Sequence, residues 1–331
     1  MKKHSYIAVA FLFALMLVPS SLPAQSITLQ MAASVPANSP WDVGMKKLAS
    51  EWSRVTNGRI KVVFSRSLAN ASQDAIVQQL TFGLDGALLE TSGLFLLDKD
   101  TLLLSMPGII RTEAEFQKAI KALQPVFQSR LSSQYQIIAL SMGGWIRFFS
   151  NKPIKEPSDF VNIRIGVNKN QEPIIKQLQL LGAKTVKSDS STFVMQFSSK
   201  ALDVVYSSPL LVATFWNQLR TNVTHMSSFN VSPFFGGIVL SKRAWDKIPG
   251  ELRPAIIEAT EKIALEITQL SLQKEQEAIT MMTGNGLLLP ALTGAQLSAW
   301  NELFTGTQAK VILNEMFTPS TVNLLFSAIK N

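Results

Sequence analysis

Residues 27–64 read ITLQMAASVPANSPWDVGMKKLASEWSRVTNGRIKVVF, and this stretch decides the fold. Ile27, Leu29 and Met31 alternate with polar neighbours, the pattern of a strand with one buried face. Ser39-Pro40 offers a capping side chain and then a proline at the first helical position. Gly58 follows the helix where glycine is favoured beyond a C-terminus, and Ile60, Val62 and Phe64 alternate again. Strand, helix and strand in so short a span form a βαβ unit, the building block of a largely parallel sheet.

The same scheme continues outward. A helix is expected from about Asn70 to Phe82, and Gly83-Leu84-Asp85-Gly86 turns into a strand that begins at Leu84. Thr112-Glu113-Ala114-Glu115 reads as a capping box opening a helix to about Arg130, with a strand from Tyr135 to Leu140. In the second half, Phe160–Val167 reads as a strand and Glu172–Leu181 as a helix closed by Gly182. Lys184–Lys187 is a strand, Ser190–Ser199 a helix, and Leu202-Asp203-Val204-Val205-Tyr206 enters a strand as Leu84-Asp85 does in the first half. From about Glu251 to Met282 no glycine interrupts the pattern, and Ile256, Ile263, Ile267 and Leu270 trace one buried stripe. At about 1.5 Å per residue such a helix exceeds one lobe and braces two; the alternative is a pair of helices broken near Thr268. The expected architecture is α/β with two lobes. Residues 25–144 with about 237–270 form the first, and 145–236 with about 271–331 the second, with a cleft between them.

Composition narrows the function. Lys2 and Lys3, the uncharged apolar run Ile7–Val18 and the small residues up to Ala24 read as a secretory signal peptide over residues 1–24; a retained anchor is the other reading. The run is short of the ~20 residues a membrane helix needs. The chain has no cysteine and two histidines, of which His4 lies in the signal segment. Disulfides, thiol nucleophiles and His-based metal clusters are therefore excluded. A Ser-His-Asp triad would have to use His225, which has no nucleophile elbow nearby. The net charge of +8 is scattered without a Lys/Arg block, so nucleic acid is not an expected partner. No enzyme activity and no cofactor are expected.

The order of segments resembles the solute-binding proteins of tripartite ATP-independent periplasmic (TRAP) transporters, the DctP-like family. The resemblance rests on Glu51–Ile60, on Gln79-Leu80 with Gly83–Gly86, on Ser150–Phe160 with Ile163-Arg164-Ile165, on Leu181-Gly182-Ala183 and on Trp245–Leu252. It implies a two-lobed periplasmic-binding-protein-like fold with a long bridging helix. It also implies a secreted protein that closes on a carboxylate-bearing solute and docks on TRAP membrane subunits. On this resemblance Arg164 is the fork for the ligand carboxylate, a geometry an arginine matches in bidentate fashion; a surface arginine paired with a nearby acid is the alternative. Arg147 resembles a second cleft arginine, and Glu90, just past a strand end, an acidic ligand contact. Trp41 and Trp216 are offered as apolar walls, or as core.

Departures move the expected cargo. Thr192 and Ser207 stand where relatives carry an acidic residue and an asparagine, Tyr206 where they carry an acid, and Lys200 where they carry glycine. A cleft so changed favours a more hydrophobic monocarboxylate. A rival reading is a partner-binding protein with a degenerate, apolar cleft, paired with a helical-repeat (TPR-type) protein.

Overall fold

The computed structural model describes residues 26–168, 171–188 and 192–330; the signal-peptide reading of residues 1–24 lies outside them. The opening βαβ unit forms as expected. β1 (Ile27–Ala32) pairs in parallel with β2 (Ile60–Phe64). The helix Pro40–Val55 between them is capped by Ser39, whose side chain accepts from the Asp42 N–H. The turn leaving it needs left-handed backbone at Asn57 and Gly58, with φ of 50° and 76°.

β3 (Gly86–Glu90) adds in parallel to β1, and two antiparallel strands follow it, β9 (Ser232–Ser241) and β4 (Tyr135–Ser150). β7 (Val204–Ser207), β5 (Arg164–Val167) and β6 (Lys184–Lys187) complete the order β2-β1-β3-β9-β4-β7-β5-β6, with the short β8 (His225–Met226) on β4. β4 carries the chain between lobes. It pairs with β9 as far as Ile146↔Ser232 and takes up β7 at Arg147↔Ser207.

β4 runs ten residues past the expected end at Leu140, and β9 was not anticipated at all. Both contain residues that read as breakers. Gly143-Gly144 is used as a bulge, with Gly144 at φ 118°. Pro233 lies beyond the last residue that β3 reaches on β9, Gly236, so its missing N–H deprives no neighbouring strand on that side.

The helix Arg253–Gly284 is one unbroken element of 32 residues, about 48 Å long. Thr268 does not break it: its hydroxyl donates back to the Ala264 carbonyl and accepts the Met142 N–H at 3.1 Å. Two turns further on, Glu275 Oε2 accepts the Trp145 N–H at 2.6 Å. The helix thus supplies partners for backbone amides on both sides of the β4 bulge, which would otherwise be buried without them. Its Ile263 and Ile267 pack with Leu29, Met31 and Trp52 of the first lobe, and its Ile279 and Met282 with Phe149 and Phe197 of the second. On the sheet's other face one continuous cluster joins Phe116 and Phe127 to Phe148, Phe160, Trp300 and Phe304.

The final helix, Pro319–Lys330, departs from the expected division. It returns to the first lobe, where Arg130 Nη1 donates to Thr321 Oγ1 at 3.2 Å and Asp100 Oδ1 accepts the Thr318 N–H at 3.1 Å.

Candidate functional site

Side chains alternate across a strand. Leu88 of β3 packs in the cluster containing Trp41 and Ile267, so Glu90 faces the same side of the sheet as the long helix. Trp41 reaches that side from the first helical turn. Its indole lies over two glycines: a Cβ on Gly143 would fall 2.7 Å from Nε1, and one on Gly236 would fall 3.1 Å from Cη2. The Gly143 position also lies 2.8 Å from Phe234 Cδ1, so Trp41 and the half-buried Phe234 flank the same point of the β4–β9 ribbon. Trp41 Nε1 is buried and has no hydrogen-bond partner.

Arg147 enters from β4 where the lobes meet, opposite Ser207 at the end of β7. Its Nη1 donates to the Ser227 carbonyl at 3.1 Å, while its Nε is buried with nothing to donate to. Burial pulls the guanidinium below its ordinary pKa, and the carboxyl of Glu275 works against that fall. Glu275 is 4% exposed, and burial pushes it up to about 7 despite the Trp145 N–H and Arg147. Gly144 is required beside it, since a Cβ there would fall 2.3 Å from Glu275 Oε2. Burial alone pushes Glu90 up to about 7 as well; its N–H donates to Gln73 Oε1 at 3.0 Å.

Arg147 and Ser207 face each other across β4 and β7, Glu90 and Trp41 lie with the strands and core of the first lobe, and Arg164 stands apart from both pairs. Arg164 forks onto Asp203, with Nε to Oδ2 at 2.9 Å and Nη2 to Oδ1 at 2.8 Å. In register it stands level with Asp203, four residues from the Ser207–Arg147 pair, or about 13 Å along the strand. Gly166, on Arg164's side of β5 and nearer the cleft, has no room for a side chain: a Cβ would meet Leu202 Cδ1 at 2.8 Å and Ser188 Cβ at 2.9 Å. Pairing with an acid was the alternative the sequence offered for Arg164, but that the acid is Asp203 is set by the register of β5 against β7.

Trp216 is core. It is 4% exposed among Phe193, Phe197, Leu219 and Met282 of the second lobe. Tyr206 points to the opposite face from Ser207, its hydroxyl paired with Ser232 Oγ and with the Ser105 carbonyl; burial raises it above the usual phenol range. His225 Nδ1 lies 2.8 Å from Thr224 Oγ1 in β8, which pairs with the far end of β4. Glu275 and Phe234 were missed. Glu275 carried a signal, a lone acid on the buried stripe of the long helix. Among the described residues no group of three His, Asp or Glu side chains is placed to hold a metal ion, and no helix is long and apolar enough to cross a membrane.

A family model for bacterial extracellular solute-binding proteins, family 7, matches residues 31–314. No curated protein matches the sequence. Solved TRAP periplasmic solute-binding proteins share the fold. One from Ochrobactrum anthropi is 16% identical with a TM-score of 0.82, covering 93% of this chain and 96% of that one. One from Desulfovibrio salexigens with bound orotic acid is 15% identical with a TM-score of 0.80, covering 92% and 98%. One from Pseudomonas putida F1 with bound D-glucuronate is 14% identical with a TM-score of 0.77, covering 92% and 97%. With its two lobes and its bridging helix, the chain belongs to the DctP family of bacterial extracellular solute-binding proteins, which are binding proteins and not enzymes.

Proposed function

We propose that this chain is exported by its N-terminal segment, captures an organic carboxylate between its lobes and hands it to TRAP membrane subunits. Arg147, not Arg164, is the anchor. The observation that carries this is the Arg147 side chain itself, sited where β4 passes between lobes with a buried Nε that lacks an acceptor. A buried donor without a partner costs about 1–3 kcal/mol, and a ligand carboxylate supplies what is missing. Trp41 and Phe234 offer apolar surface over Gly143, four residues before Arg147 on β4, in keeping with a solute that is more than a bare acid. Two of the similar structures hold carboxylates, orotic acid and D-glucuronate. The comparisons lend no support to a helical-repeat partner, and that reading is set aside.

Calorimetry on the solute that co-purifies with the protein tests the anchor. Charged hydrogen bonds contribute about 1.5–3 kcal/mol, so Arg147→Ala should weaken binding roughly 10- to 150-fold. Arg164→Ala should change it less than about threefold. The reverse ranking would refute the assignment.

A further inference from the structure

We propose that the protein has a second small-molecule site, on the face of the sheet turned away from Arg147, which takes a planar aromatic carboxylate. The site goes beyond the capture reading and does not depend on it. A cavity of about 300 Å³ opens there between the helix Gly294–Thr305, the loop ahead of the helix Glu113–Leu131 and the chain entering β9. Ligand pockets begin at about that size, and benzene fits a cavity of about half of it, so the occupant has one or two rings.

The walls are aromatic, and β4 fixes which face they are on. Phe148 follows Arg147 on the strand, so its ring points to the opposite side. It meets Trp300 with ring centroids 6.0 Å apart and Phe229 at 6.4 Å. Those two rings lie 5.1 Å from each other, and Trp300 stacks on Phe304 at 5.6 Å. Trp300 is pinned through its Nε1, which donates to the Lys155 carbonyl at 2.9 Å. Phe229 is half-buried and Leu297 exposed, which leaves apolar surface at the mouth. Rings at these spacings receive a further ring by offset stacking or edge contact.

The charged part of the site is one guanidinium. Asn301 Oδ1 accepts from Arg111 Nη1 at 2.7 Å. This leaves the Nε–Nη2 edge, the same edge that Arg164 turns onto Asp203. No carboxylate of the described residues pairs with that edge: the nearby Glu115 gives its Oε2 to the backbone N–H groups of Arg111 and Thr112. A ligand carboxylate matches the edge in bidentate geometry. Asn230 Nδ2 donates to the Arg111 carbonyl at 3.3 Å, while its Oδ1 is buried with no donor; a ring N–H, as in an indole, is a donor of the right kind. An aliphatic acid would meet the guanidinium and leave the rings unstacked, and a neutral aromatic would do the reverse.

The test is calorimetric titration of the mature protein at pH 7.5, with any solute it carries left in place. The probes are indole-3-acetate, indole-3-acetamide and hexanoate. Indole-3-acetate should bind at least about tenfold more tightly than either of the others. In Arg111→Ala, checked for folding by its melting temperature, acid and amide should come within about threefold of each other. Should that variant fail to fold, Arg111→Gln serves the same comparison. The preference for the acid should survive in Arg147→Ala. Equal binding of the acid and the amide, or of the acid and hexanoate, would overturn the inference, as would failure of all three to bind at millimolar concentration. Binding that is lost in Arg147→Ala but kept in the Arg111 variants would place the acid with Arg147. That result would sink the second site and leave carboxylate capture standing.

Discussion

At the scale of single residues, a buried acid governs the pH response. Glu275 releases its proton near pH 4.5 in the unfolded chain and near 7 in the folded one. Between these values the native state holds more protons than the unfolded state, so stability falls as pH rises through the window. The penalty is absent below about pH 4.5 and complete above about 7, where it reaches on the order of 3 kcal/mol. Glu275→Gln keeps an oxygen for the Trp145 N–H and removes the titration. Its stability relative to the parent chain, from urea melts, should rise by about that amount between pH 5 and 8. A difference that stays flat across the range would contradict the assignment. Arg164 makes the complementary point. Its fork is spent on Asp203, so its charge is already matched at the second lobe's edge.

At the scale of elements, the long helix and the first helix meet at a glycine. A Cβ on Gly44 would fall 2.3 Å from Ile267 Cγ1. Helix propensity alone favours alanine over glycine by about 1 kcal/mol, whereas overpacking a close interface costs about 1–3 kcal/mol. Ile267 is 1% exposed and packed on all sides, so it has little space to retreat. Gly44→Ala is therefore expected to destabilise the protein, by about 1–2 kcal/mol in a denaturant melt. A gain in stability would show that the interface yields. The same helix fixes the bulge in β4 through Thr268 and Glu275, and so ties the geometry at Trp145 to the position of Arg147 two residues on.

At the scale of the whole molecule, the lobes are joined by more than a linker. β4 and β9 run between them, the helix Arg253–Gly284 crosses both, and the cluster from Phe116 to Phe148 and Trp300 is continuous. The final helix closes the circuit by packing back on the first lobe. Folding should accordingly be cooperative across both lobes. Calorimetric melting of the mature protein is expected to show one transition with equal van't Hoff and calorimetric enthalpies. Two resolved transitions would mean that the lobes unfold separately.

The sequence by itself determined the class: alternating strand and helix signals, the Ser39 and Thr112 caps and the unbroken stripe of the long helix all formed as read. These are local signals, set by period and by the partners of a helix end, and they survive folding because the tertiary structure agrees with them. It also offered Arg147 and Ser207, which stand opposite each other on β4 and β7, and Glu90 and Trp41, which the fold places with the first lobe. The strands β4 and β9 were harder to read, because Gly143-Gly144, Pro233 and Gly236-Gly237 look like turns until a bulge, an open strand edge and the Trp41 indole give each a reason. Only the tertiary structure told the surroundings of the two arginines apart. Which side chain stands across a parallel strand is a matter of register between distant segments, and it is register that gives Arg164 to Asp203 and sets Arg147 opposite Ser207.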